Sequence, residues 1–153
     1  MLISVIVTTY NRPDALATVL AGLAAQTDRG FELLVADDGS RDDTRILIEA
    51  AAPTFAMPLA HVWQEDRGFR AGAARNRAAV KARGDYLIFL DGDCVPRPDF
   101  IARHRDLAEA GWMVAGNRIL LSEAFTRRVM ARRLATRRWV RGLTLARRVP
   151  RTL

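Results

Sequence analysis

Ile3-Ser4-Val5-Ile6-Val7, Phe31 to Ala36, Leu59 to Trp63 and Tyr86-Leu87-Ile88-Phe89-Leu90 are short, mostly apolar runs rich in β-branched and aromatic residues. Runs of this length read as strands buried on both faces, the pattern of a parallel sheet with covered sides. Helical spacing lies between them. Pro13 suits a first helical turn, and Leu16, Val19, Leu20 and Leu23 follow on one face. Asp42 or Asp43 can cap a second helix that runs to about Ala52. Ala73 to Ala82 makes a third, and Asp99 opens a fourth that reaches about Ala110. Trp112 to Ala115 is expected as a fifth strand. This alternation predicts an α/β domain with a mostly parallel sheet flanked by helices.

The 153 residues suit one domain of this kind, and 50% apolar against 27% charged residues predicts a packed core rather than disorder. No apolar run approaches the roughly 18 residues of a membrane span, and residues 1–9 lack the basic start and cleavage site of a signal peptide. Cys94 is the only cysteine, which excludes an internal disulfide framework and a Cys-rich zinc site. A cytoplasmic location is the expectation. The net charge of +7 is not evenly spread. Residues 118–153 hold eleven Arg and one acid, Glu123, so the basic character belongs to the tail.

Each strand end carries polar groups. Asp91-Gly92-Asp93 places two carboxylates at the carboxyl end of a strand, where open α/β sheets bind ligands. Neighbouring carboxylates repel unless a cation bridges them, and Mg²⁺ or Mn²⁺ is the hard cation usually held by one or two carboxylates plus substrate phosphates. The alternative is a solvated Asp-Gly turn. Asp37-Asp38-Gly39-Ser40 falls on the same sheet edge. A carboxylate there can accept the imide N–H of a uracil, and a turn with an N-cap is the alternative. Thr8-Thr9-Tyr10-Asn11 ends the first strand, where Tyr10 can stack on a base or the segment can be a plain polar turn. In Gly68 to Asn76, Arg70, Arg75 or the helix N-terminus can meet a diphosphate, or the arginines can form a solvated face. The pattern matches neither the phosphate-binding Gly-x-x-x-x-Gly-Lys loop nor the dinucleotide Gly-x-Gly-x-x-Gly.

Taken in order, Ser4 to Arg12, Val35 to Ser40, Ala74-Arg75-Asn76 and Leu90 to Asp93 resemble the family 2 glycosyltransferases of the GT-A fold over residues 2–121. The resemblance implies inverting transfer of a sugar from a nucleoside diphosphate donor, usually a uridine one, with Mn²⁺ or Mg²⁺. It implies that Asp38 contacts the base, that Thr8 and Tyr10 line the base pocket, and that Asp91 and Asp93 form the Asp-x-Asp motif at ribose and metal. Arg75 matches a basic position of the family. A nucleotidyltransferase of similar topology would carry a Gly-rich basic loop after its first strand, and Thr8-Thr9-Tyr10-Asn11 is not one.

The family's base is an acid on a later helix, but after Asp99 only Asp106, Glu109 and Glu123 remain, and none has a partner motif. The catalytic base is therefore unassigned. The expectation is a donor-binding domain at 1–121 and an Arg-rich helical tail at 122–153, the remnant of an acceptor-side half. A non-catalytic remnant that binds nucleotide or membrane surface only is the alternative. The expected acceptor is a glycan or a lipid-linked molecule of cell-envelope polysaccharide synthesis. His61 reads as a packed strand residue, His104 as a surface one and Cys94 as a small buried one. In the tail, Phe125, Val129, Met130, Leu134, Trp139, Val140 and Leu143 interleave with Arg. That pattern suits either an apolar face packed on further protein or a basic helix at the inner face of a membrane. Nucleic acid is not expected as a partner, since no recognition motif accompanies the arginines.

Overall fold

The computed structural model describes residues 1–132 and 146–150. In chain order it contains β1 (Ile3–Thr9), α1 (Pro13–Ala24), β2 (Phe31–Asp37), α2 (Asp42–Ala51), a short 3-10 turn (Ala52–Thr54), β3 (Leu59–Trp63), α3 (Ala71–Lys81) and β4 (Tyr86–Asp91). Then come α4 (Phe100–Leu107), β5 (Trp112–Gly116), α5 (Glu123–Arg132) and β6 (Ala146–Pro150).

The four expected apolar runs form one parallel sheet in the order β3-β2-β1-β4. Both faces of β1 are covered, with Ile3, Val5, Ile6 and Val7 all solvent-free. On one side Leu16, Val19, Leu20 and Leu23 of α1, Ile48 of α2 and Ile101 of α4 pack on Val5, Val7, Leu33, Val35 and Ile88. On the other side Ala74 and Ala78 of α3 rest on Ile6, Leu34, Ala36 and Val62, and small side chains let that helix sit close. Each fully buried Leu or Ile contributes about 1.5–3 kcal/mol, so this core holds the strands in fixed register.

Thr8 lies beside Ala36 of β2 and Asp91 of β4, and Thr9 lies beside Asp37. All the strand-end motifs therefore stand level on one edge. The chain winds from β1 out to β3 and returns to the far side of β1 for β4. That reversal opens a crevice between β1 and β4 at the carboxyl edge, where doubly wound sheets take ligands.

Several expectations change. Asp42 and Asp43 lie in the first turn of α2 rather than capping it; Arg41 holds the cap position without a side-chain bond. The acids favour the helix through its positive N-terminal end instead. α4 ends at Leu107, three residues early, and Gly111 turns the chain at φ +82°. β5 forms where expected but does not join the sheet. It pairs antiparallel with β6, Trp112 facing Pro150 and Gly116 facing Ala146. α5 forms at the start of the expected helical tail, and residues 133–145 and 151–153 of that tail lie outside the described residues. α5 rests on α1 with Val129 4% exposed, so this part of its apolar face is occupied by the chain itself.

Candidate nucleotide-sugar and metal site

The Asp37–Ser40 turn is built from inside. Asp37 is fully buried; its Oδ1 accepts the Ser40 N–H at 2.8 Å and its Oδ2 pairs with His61 Nε2 at 2.8 Å. Burial alone would raise its pKa, but the bonds from His61 and Ser40 outweigh that and hold it below the usual carboxylate range. The turn is then tied to its neighbours. Ser40 Oγ accepts the Asn11 N–H at 2.9 Å, Asn11 Oδ1 accepts the Arg41 N–H at 2.9 Å, and Trp63 Nε1 donates to the Ser40 carbonyl at 3.2 Å. Gly39 sits at φ +95°, and a Cβ there would lie 2.5 Å from Asp66 Cα. The loop after β3 therefore rests directly on this turn.

Asp38 is 3% exposed. Its Oδ1 accepts from Gln64 Nε2 at 2.6 Å and its Oδ2 accepts the Arg70 N–H at 2.7 Å. Each carboxylate oxygen has a second acceptor site, so these bonds orient the group without exhausting it. Tyr10 is 49% exposed, and its hydroxyl donates to Asp66 Oδ2 at 2.9 Å. That bond is the main reason the phenol pKa is raised and the Asp66 pKa lowered. Asp66 Oδ1 also accepts the Gly68 N–H at 3.1 Å. The Tyr10 ring is thus tethered at the rim near Asp38.

The second half of the site lies at the β1–β4 crevice. Arg75 of α3 donates through Nε to Thr8 Oγ1 and through Nη2 to Asp91 Oδ1, both at 2.8 Å. Arg118 Nη1 lies 3.9 Å from Asp91 Oδ2. The Arg70 guanidinium bonds the Glu65 carbonyl through Nη2 at 2.6 Å, so of the two expected arginines it is Arg75 whose guanidinium meets Asp91. Gly92 donates its N–H to the Thr8 carbonyl at 2.8 Å, and a Cβ there would lie 2.5 Å from that oxygen. Close approach of β1 thus requires the residue between the two aspartates to be glycine.

Asp91, Asp93 and Cys94 each offer a ligand atom, all within 4.8 Å of one another. Burial, with the charges of Asp93 and Asp91, pushes the Cys94 thiol up to about 11. Two carboxylates within reach of one another are hard oxygen donors, and that pair fits Mg²⁺ or Mn²⁺.

The structure brings together Thr8, Arg75, Asp91 and Asp93 at the crevice and Tyr10 and Asp38 over the Asp37–Ser40 turn. His104 is not a surface residue. It is 6% exposed, packs edge-on against Phe100 and shares a 3.1 Å hydrogen bond with the hydroxyl of Tyr86, the first residue of β4 and thus at the opposite sheet edge. Arg105 bonds Asp28 and the carbonyls of Met1 and Gly30, which places the end of α4, with Asp106, at that same far edge. Glu123 is exposed and pairs with Arg127 at 3.2 Å. Sequence reasoning missed Gln64, Asp66 and Arg118. The first two follow a strand end and carried the same positional signal as Asp38.

A mostly parallel, doubly wound sheet flanked by helices is the GT-A architecture of glycosyltransferases. The chain belongs to glycosyl transferase family 2, whose sequence model matches residues 4–152. It is 40% identical to the hyaluronan synthase of Pasteurella multocida over 108 residues, 70% of this chain and 11% of that one. The fold is similar to that of S. aureus TarS 1-349 in complex with UDP-GlcNAc, with TM-score 0.64, 25% identity, and 82% of this chain and 38% of that one covered. It is also similar to the mannosyltransferase PcManGT of Pyrobaculum calidifontis in complex with GDP-Man and Mn²⁺, with TM-score 0.64, 26% identity, and 83% and 37% covered. The chain thus spans less than half the length of each of these proteins.

Proposed function

We propose that residues 1–121 bind a nucleoside diphosphate-sugar, a UDP-sugar by preference, together with one divalent cation, and take part in inverting transfer of the sugar to a glycan or lipid-linked acceptor of cell-envelope polysaccharide. The observation that carries this reading is the convergence of Thr8, Arg75, Asp91 and Asp93 at the topological switch point of the sheet. Tyr10 offers a tethered ring for the base, and the buried, oriented Asp38 offers an acceptor for its imide N–H. Asp91 reaches the ribose and Asp93 holds the metal. The cation, when bound, supplies positive charge where the departing diphosphate gains negative charge. Arg75 adds a fixed positive charge beside it. Among the described residues, Asp106 faces the wrong edge for a base that must reach the opposite face of the sugar. Residues 122–153 are read as a basic extension on the acceptor side, with charge-driven peripheral membrane contact.

The test is calorimetric titration of UDP into the purified chain, with and without Mn²⁺, on wild type and Asp93→Asn. Binding should require Mn²⁺ and weaken at least about tenfold in the variant, since Asp93→Asn removes the charge of the carboxylate that holds the metal. Binding that ignores Mn²⁺ and the substitution, or no binding at all, would overturn the reading.

A further inference from the structure

Asp91 carries two arginines that are held very differently. Arg75 grips Oδ1 at 2.8 Å while its Nε is anchored on Thr8, and 38% of its side chain is exposed. Arg118 comes from the segment after β5, approaches Oδ2 at 3.9 Å and is 69% exposed. Long, exposed ion pairs of this kind are weak and easily exchanged. A divalent cation held by Asp93, with its ligand atom within 4.8 Å of one on Asp91, would repel the Arg118 guanidinium and compete with it for the charge of Asp91. A donor diphosphate would bring negative charge to the same place, and the planar fork of an arginine suits phosphate oxygens better than a single distant carboxylate oxygen.

We propose that Arg118 exchanges partners: it neutralises Asp91 in the empty site and passes to the donor's diphosphate when metal and nucleotide bind. This rests on the donor-site reading above. The consequence is a coupling between the two ligands. Arg118 competes with the metal alone and assists the metal–nucleotide pair, so its removal has opposite effects on the two measurements. Disruption of the fold would weaken both.

The experiment compares wild type with Arg118→Gln in three calorimetric titrations: Mn²⁺ alone, UDP at saturating Mn²⁺, and uridine at saturating Mn²⁺. The variant should bind Mn²⁺ about 2–5-fold more tightly, because an exposed competing ion pair is gone. It should bind UDP about tenfold more weakly and uridine, which lacks phosphate, as wild type does. Unchanged or weaker Mn²⁺ binding, unchanged UDP binding, or an equal loss for uridine overturns the assignment of Arg118 while leaving the donor site standing. Absence of Mn²⁺-dependent UDP binding in wild type removes the donor-site reading and this inference with it.

Discussion

At the scale of single residues, the Asp37–Ser40 turn is held by close contact as well as by its hydrogen bonds. Gly39 and Gly68 both have positive φ, +95° and +82°, but their surroundings differ. A Cβ at Gly39 would meet the Asp66 backbone at 2.5 Å, whereas nothing lies within 4 Å of one at Gly68. Alanine at either position takes the left-handed penalty of about 1–2 kcal/mol. At Gly39 it must also push the 64–70 loop off the turn, adding about 1–3 kcal/mol. Urea denaturation should therefore rank Gly39→Ala clearly below Gly68→Ala in stability. Equal losses would mean that the loop does not rest on the turn. Gly39→Ala should also free the Tyr10 ring, since Asp66 is its hydroxyl's partner.

At the scale of elements, α4 carries a titration that its sequence conceals. His104 looks like one more polar residue on a surface helix, yet burial pushes its imidazole from 6.5 down to about 4. Between those values the unfolded chain binds a proton that the folded one refuses. Stability is therefore complete above pH 6.5 and drains as pH falls towards 4, by about 3 kcal/mol over the window. Carboxylates held low by their partners, such as Asp37 and Asp28, add their own losses only below about pH 4. Urea midpoints at pH 7.5 and 4.5 should differ markedly for wild type and much less for His104→Phe; parallel slopes would show that the ring is solvated. The same contrast explains what was legible. Strands β1 to β4, and the acids that follow β2 and β4, could be read because each strand is a local apolar run that stops at polar residues. The burial of His104 depends on Tyr86 and Phe100 closing around it, and no period in residues 99–110 encodes that. Asp66 and Gln64 acquire their places from contacts 56 and 26 residues away in sequence. β5 was visible as a strand, but its sheet was decided by β6, thirty residues on, whose Arg-rich sequence gave no strand signal.

At the scale of the whole molecule, Asp37 and Asp91 stand on one sheet edge while eleven arginines and the single acid Glu123 lie in residues 118–153. Two properties of that basic end matter for a membrane surface, and they predict different things. Among the described residues no helix is long and apolar enough to cross a membrane, and α5 spends Val129 on α1. Apolar insertion by α5 would require undocking that helix, whereas attraction to anionic headgroups needs only the charge, at about 1 kcal/mol per basic residue near the surface. Charge attraction is screened: the Debye length falls from about 30 Å at 0.01 M salt to about 3 Å at 1 M. Inserted apolar area is not lost in this way. Co-sedimentation with phosphatidylglycerol vesicles should therefore be substantial at about 0.02 M salt and nearly absent at about 0.5 M, with neutral phosphatidylcholine vesicles showing none at either. Binding that survives high salt would mean that α5 leaves α1 to enter the lipid. Val129→Asp, which penalises both the docked and the inserted helix, should then abolish it while leaving the low-salt, charge-driven binding in place.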